Sequence, residues 1–376
     1  MAFSFFSSRV NPIAVDIGTD TIKLLQIEPR DNQHRLIAAA CEVIPDGIRA
    51  KPVERDSFVV EALRRMTAEH FKGKQAVTCL PASYMAVQHL RMAKMGAEEL
   101  IKALPFESAG KLPFDSHRAV LRHTVSGEVY QNGEVRQEII LMAAPRDAVE
   151  RHLGVLSRAK LEIVGIHVEP SALIECFTNL FRRKSDEHIC TLFVDIGAGS
   201  THVVIAHGRA MVFAKHIPIG GDLLNRKAGE ALKRDVIAAK NIRIKISDWA
   251  QTALRPADAI GNAHHSEGID EATAEKVKTA LVDSIDTLVV DLQMCVRYYE
   301  SIFPSRSIDR VIFVGGESRH IALCQDIAQR LDLPAILGDP LSRLVKDDSV
   351  KVGVDTGSPQ PGWAIAVGLA MGIAAE

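Results

Sequence analysis

Apolar positions fall into short runs over the first 80 residues, widen into helical spacing, and then repeat that order in the second half of the chain. Ile13 to Val15, Ile22 to Glu28 and Arg35 to Val43 read as three successive strands joined by short polar breaks. Phe58, Val59, Ala62, Leu63 and Met66 share one helical face within Glu54 to Phe71, and Gln75 to Leu80 is a further strand. Between Ser83 and Ala144 the texture changes. Strands Tyr84 to Met92, Arg118 to Val125 and Val135 to Ala144 surround a helix Ala97 to Lys111 interrupted near Pro105 and Pro113, with a glycine-rich turn after Val125 and a hairpin signal at Asn132-Gly133. A helix Arg146 to Lys160, a strand Leu161 to Val168 and a helix with Pro170 at its first position follow.

The second half opens with strands Cys190 to Asp195, Thr201 to Ala206 and Ala210 to Ile217, turning at Gly208 between the last two. Gly220-Gly221 starts a helix through Lys227, and Glu271 to Ile302 carries the longest helical pattern. A strand from Asp309 runs into Gly315-Gly316, and a helix His320 to Leu331 follows. Arg255 to Gly268, with His264-His265, reads as a polar loop, because adjacent histidines diverge and no third ligand is near. Ala364 to Ala375 reads as a buried helix, short of the ~20 residues that span a membrane.

One device occurs twice. Asp16-Ile-Gly-Thr-Asp-Thr-Ile-Lys23 and Asp195-Ile-Gly-Ala-Gly-Ser-Thr201 each end an apolar strand in Asp, turn through Gly and resume as a strand. Gly18, Gly197 and Gly199 permit positive φ and close backbone approach, and the N–H groups and hydroxyls of Thr19, Thr21, Ser200 and Thr201 can donate to phosphate oxygens. Asp20, Lys23 and Ala198 complete the two tips, and Asp16 and Asp195 would face a cation, Mg²⁺ held through water. Each hairpin taken singly is equally an ordinary glycine turn. The pair implies two related halves around one cleft. Gly220-Gly221, Gly315, Gly316 and Glu317 add backbone that a flat ring can approach.

At 376 residues the chain needs two or more domains, and 47% hydrophobic with 24% charged residues is ordinary for a soluble globular protein. A formal net charge of −2 gives no general attraction to nucleic acid or anionic lipid. The densest basic cluster, Arg182-Arg183-Lys184, reads as a solvated helix end. Six cysteines without a CxxC pair read as buried free thiols in a reducing compartment. The N-terminus is too short and too polar for a signal peptide, so the chain reads as cytoplasmic; Phe3, Phe5 and Phe6 either dock on a membrane or partner or tuck onto their own domain.

The paired Asp hairpins, followed by Val314-Gly-Gly316, resemble the nucleotide-binding signature of the actin-like ATPase superfamily. Thr78-Cys-Leu-Pro-Ala-Ser83, Leu112-Pro-Phe114, Ala143-Ala-Pro-Arg146, His167-Val-Glu-Pro170, Ile217-Pro-Ile-Gly-Gly221 and Leu331-Asp-Leu-Pro334 before Gly338-Asp-Pro340 make the chain most similar to the PilM family of type IV pilus assembly proteins, with FtsA-like proteins next. The resemblance implies an α/β actin-like ATPase fold, two related halves (1–82 with 145–185, and 186–376) around a nucleotide cleft, with a small FtsA-like α+β subdomain (83–144) inserted in the first half. It implies ATP and Mg²⁺ as ligands, and as partner the N-terminal cytoplasmic tail of a membrane-anchored PilN-like protein, lying at the seam between the subdomain and the main sheet of the first half. A peripheral place at the inner membrane and a homo-oligomer fit the same resemblance. Two positions depart from the family pattern: Val236 to Lys240 lacks the Glu that reaches the nucleoside, and Gly315-Gly-Glu-Ser-Arg-His-Ile321 lacks the Pro-Gly continuation.

Two other functions share the fold, a small-molecule kinase or phosphatase and an FtsA-like division filament. A kinase needs a carboxylate base aimed at the acceptor, and the only candidate is Glu169, so turnover is expected to be slow or absent. The filament reading lacks the C-terminal amphipathic membrane helix.

Overall fold

The computed structural model describes residues 10–30, 33–131, 133–180, 184–253, 269–346, 353–355 and 357–372. The N-terminal phenylalanines, Asn132, Arg182-Arg183 and the His264-His265 loop lie outside these residues.

The first half is built on β1 (Ile13–Ile17), β2 (Thr21–Arg30) and β3 (Gln33–Val43), then α1 (Asp46–Arg49), α2 (Pro52–Glu69) and β4 (Gln75–Leu80). After the inserted segment, composed of β5 (Ala86–Ala93), α3 (Ala97–Glu107), β6 (Ala119–Gln131) and β7 (Glu134–Pro145), the chain returns through α4 (Arg146–Arg158), β8 (Glu162–Val168) and α5 (Glu169–Cys176). The second half runs β9 (Cys190–Ile196), β10 (Thr201–His207), β11 (Ala210–Ile217), α6 (Gly221–Leu232), α7 (Val236–Ala253), α8 (Glu271–Ile302), β12 (Arg310–Val314), α9 (Ile321–Leu331), β13 (Ala335–Leu337) and α10 (Ala364–Met371).

The two halves share one topology. The first sheet is ordered β3-β2-β1-β4-β8 and the second β11-β10-β9-β12-β13, each an antiparallel meander continued by two parallel strands. The parallel strands need crossovers, which the helices supply, and both faces of each sheet are therefore covered. Outer faces bury Ile13, Val15 and Leu24 under Val59 and Leu63 of α2, and Leu192, Val194 and Val203 under Leu288 and Leu292 of α8.

Between the sheets lie α5 and α10, whose Leu173, Val367 and Leu369 pack in one core with Ala14 and Val77 of the first sheet and Phe193 and Ile312 of the second. α10 is apolar all round because every one of its residues is buried. The helix pair approaches so closely that a Cβ on Gly368 would sit 1.7 Å from the Ala172 carbonyl oxygen. Among the described residues no helix is long and apolar enough to cross a membrane.

The insert forms an antiparallel sheet ordered β5-β7-β6. Leu90, Met92, Ile139 and Leu141 bury one face under Leu100 and Leu104 of α3, whereas Ile140 and Met142 turn the other way into the main core. Because β7 is apolar on both faces, the sheet must be covered twice, and the second cover is β11. His89 on β5 donates from Nε2 to the Ala214 carbonyl at 3.1 Å, and Tyr298 of α8 donates to the fully buried Glu138 of β7. The seam thus forms against the second half rather than the main sheet of the first half, which corrects the sequence expectation.

Smaller corrections have local causes. No turn occurs after Val125: β6 shifts register there and continues to Gln131, and Gly127 serves a close approach, with the Phe303 ring 3.0 Å from where its Cβ would be. α3 accommodates Pro105 within its last turn and ends at Glu107. α6 runs five residues beyond Lys227, to Leu232. Glu169, not Pro170, is the first residue of α5. Cys41 is exposed because β3 ends in alternating partly exposed positions; the other five cysteines are buried.

Candidate functional site

The β1–β2 and β9–β10 hairpins form the same turn. Gly18 N–H donates to the Thr21 carbonyl and Gly197 N–H to the Ser200 carbonyl, both at 2.9 Å, and a Cβ on either glycine would lie 3.2 Å from that oxygen. Neither these glycines nor Gly199 takes a positive φ, so proximity rather than handedness demands them, contrary to the sequence expectation. The tips meet: a Cβ on Gly199 would stand 2.7 Å from Thr19 Oγ1.

The second tip is also locked to α6. Gly221 and Asp222 N–H groups donate to the carbonyls of Gly197 and Ala198 at 3.0 and 2.7 Å, and a Cβ on Gly220 would lie 2.5 Å from Ser200 N. Thr201 Oγ1 donates to the Ile219 carbonyl at 2.7 Å, so this hydroxyl holds the fold and is not offered to a ligand as the sequence suggested. Thr21 Oγ1 faces Asp20 at 3.3 Å, and Ser200 Oγ lies 3.4 Å from His202 Nε2.

Beneath the tips is a charged floor. The Asp16 and Asp195 carboxylates are buried, at 7% and 8% exposure. Burial raises both, Asp195 to about 6, with Lys23 opposing the shift at Asp16 and His202 at Asp195. Lys23 Nζ is 3.7 Å from Asp16. Glu169, at the start of α5, places Oε2 3.0 Å from His202 Nε2. Burial and then the Asp16 charge push Glu169 up to about 8, and burial lowers His202. Carboxylates strained by burial in this way are the setting in which a bound cation restores their charge. Among the described residues no three His, Cys, Asp or Glu side chains converge on a metal without help, so a cation here would also need phosphate oxygens and water.

His202 is absent from the sequence reading, yet the repeat contains it. Asp16 pairs across its hairpin with Lys23, and Asp195 pairs across its own with His202, each seven residues on. Extending the second motif by one residue exposes the match.

The side of the cleft bounded by α6, α7 and the turn after β12 is already bridged. Gly315 takes φ +91 beside the Asp195 carboxylate and Gly316 opens the following turn. Glu317 then reaches to Arg243 of α7, whose Nη1 and Nη2 donate to its two oxygens at 2.8 and 3.0 Å, while Arg243 Nε donates to Asn225 of α6 at 2.8 Å. Glu317 therefore engages the protein rather than standing free for a ligand. Two ion pairs join the halves at the same mouth, Arg49–Asp222 at 3.3 Å and Asp20–Lys240 at 4.0 Å.

A separate groove of about 940 Å³ runs along the seam between the insert and the second half. Met85 and Val87 at the β5 edge, Phe213 and Lys215 of β11, and Met294 and Tyr298 of α8 line it. β5 and β11 are each the edge strand of their sheet, so backbone outside any ladder borders the groove on both sides, with the Ala214 carbonyl of β11 taken by His89 Nε2.

Comparison with known proteins agrees with this architecture. The family model of type IV pilus assembly protein PilM matches residues 14–250, and that of cell division protein FtsA matches residues 192–368. No curated protein matches the chain. Among solved structures, the PilM-PilN type IV pilus biogenesis complex is 20% identical, with a TM-score of 0.75 over 96% of this chain and 98% of that one. The ethanolamine utilization protein EutJ from Carboxydothermus hydrogenoformans is 14% identical, with a TM-score of 0.53 over 96% and 89%. At these identities the likeness shows the fold, the actin-like one.

Proposed function

The chain belongs to the family of type IV pilus assembly protein PilM, and from that membership we propose that it is a non-motor, nucleotide-binding scaffold of a type IV pilus assembly platform. It recruits a membrane-anchored PilN-like protein by that protein's N-terminal cytoplasmic tail, and so works at the inner membrane without spanning it. Residues 1–82 with 145–185 and 186–376 act as the two halves, and 83–144 as the recruiting insert.

The groove between the strand edges of β5 and β11 carries this reading. An extended tail laid there can pair with free backbone and place alternate side chains in apolar pockets, the mode by which strand addition gains both affinity and specificity. Groove and hairpins lie on different elements, so partner capture does not require turnover.

The second part of the proposal is that the two tips hold the phosphates of Mg·ATP. Lys23 and the tip N–H groups would meet phosphate oxygens, and Asp16 and Asp195 would hold Mg²⁺ through water. The buried carboxylates, raised above the ordinary aspartate value by desolvation, support it, since a cation offsets that desolvation. Against a kinase reading, Glu169, the carboxylate the sequence offers as a base, faces His202. Differential scanning calorimetry with saturating Mg·ATP tests the cleft: a ligand at a hundred times its dissociation constant adds about 2.7 kcal/mol, and an unchanged melting temperature would remove the nucleotide from the proposal.

A further inference from the structure

The phosphate side and the nucleoside side of the cleft are built differently. The tips are glycine turns that meet at Gly199 and Thr19, whereas the space between the Gly315-Gly316 turn and α6–α7 is crossed by the Arg243–Glu317 pair. Arg243 is 4% exposed and uses all three of its donor nitrogens, two on Glu317 and one on the buried Asn225. His320 Nε2 lies 3.4 Å from the same Glu317 carboxylate. The carboxylate is pressed so closely over the first residue of α6 that a Cβ on Gly221 would stand 2.1 Å from Glu317 Oε1. The carboxylate therefore fills the space between the turn after β12 and the start of α6.

Resting on the reading of the cleft as a Mg·ATP site, we propose that Glu317 and Arg243 set its selectivity between a nucleotide and a bare phosphate chain. The closed pair opposes the nucleoside, so the tips take a polyphosphate chain without cost, whereas a nucleotide binds only as the pair parts. The bidentate geometry matters, because a planar guanidinium held at three points cannot swing aside as a surface lysine would. Parting the pair leaves a buried guanidinium short of its counter-charge, and that cost is subtracted from nucleoside contacts. The bridge also places a carboxylate where the sequence showed none on α7, but bonded inward.

Isothermal titration of the full chain with Mg·tripolyphosphate and Mg·ATP tests this, with Glu317→Gln and Glu317→Ala beside the parent and each protein's melting recorded without ligand. The parent is expected to bind tripolyphosphate at least as tightly as ATP. Both substitutions are expected to tighten ATP tenfold or more while tripolyphosphate stays within twofold. If both ligands bind and the substitutions leave ATP unchanged or weaken it, the selectivity role is wrong and the cleft reading stands. If Glu317→Ala does not fold, the parent decides: ATP more than tenfold tighter than tripolyphosphate overturns the proposal. If neither ligand binds any of the proteins, the cleft reading falls and the selectivity role falls with it.

Discussion

Glu169 Oε2 lies 3.0 Å from His202 Nε2, so the first residue of α5 is tied to a strand of the second half directly under the two hairpin tips. With Glu169 pushed up to about 8 by burial and His202 lowered, the pair is neutral near pH 7, the acid donating its proton to the imidazole. A protonated carboxyl cannot orient attacking water as a base. Steady-state ATP cleavage is therefore expected far below the roughly 1 to 100 per second of kinases at pH 7, and to rise as pH passes 8. A phosphate-release assay across pH 6 to 9.5 checks both; kinase-like rates at neutral pH would contradict the scaffold.

The same burial links Glu169 to stability. Its folded value lies above the ordinary 4.5, so its contribution is fully present below about 4.5 and is lost as pH rises through about 8. Within that window the slope from this group is about 1.4 kcal/mol per pH unit. Asp16 and Asp195, raised by the same cause, add slope at the acid end, with Asp195 complete near pH 6. Glu169→Gln should flatten the fall in stability between pH 6 and 8, measured by urea unfolding. An unaltered slope would mean that Glu169 is ionised in the folded chain.

Asp16→Asn and Asp195→Asn remove charge at nearly constant volume. Each is expected to weaken Mg²⁺-dependent ATP binding by about 1.5–3 kcal/mol, the scale of a charge-assisted contact, without lowering the melting temperature of the free protein. Unchanged affinity in both would reduce the hairpins to ordinary turns.

Gly368→Ala addresses the seam between the halves. A methyl group placed 1.7 Å from the Ala172 carbonyl forces α5 and α10 apart, for a cost of about 1–3 kcal/mol or more and a melting temperature lower by roughly 2–4 °C per kcal/mol. Calorimetry showing no loss would mean that the helices separate without strain.

The repeated halves were legible because each hairpin writes its own chemistry, Asp then Gly then a strand, and the two sheets copied that order strand for strand. α8 was legible from 32 residues of unbroken helical spacing. What escaped is what neighbours in space decide. Gly127 looks like a turn until Phe303, far away in sequence, is known to press on it. The seam of the insert was misplaced because the double-faced burial of Ile139 to Met142 does not say which sheet supplies the second cover. Arg243 lies beyond Val236 to Lys240, and its partner arrives from the turn after β12. Thr201 read as a ligand donor because its acceptor, the Ile219 carbonyl, becomes near only once β11 folds back.

Capture of a PilN-like tail by the β5–β11 groove is the central claim of the scaffold reading. Deleting the insert would strip Ile140 and Met142 from the main core, so a substitution on the groove wall is the cleaner probe. Met294 lines the groove while 47% exposed, and Met294→Asp introduces a charge there without disturbing the core. A synthetic peptide of the N-terminal cytoplasmic tail of a membrane-anchored PilN-like partner, titrated calorimetrically into both proteins, is expected to bind the parent and to lose tenfold or more in affinity with Met294→Asp, while Mg·ATP binding is unchanged. Equal affinity for the two proteins would place the tail elsewhere and contradict the groove.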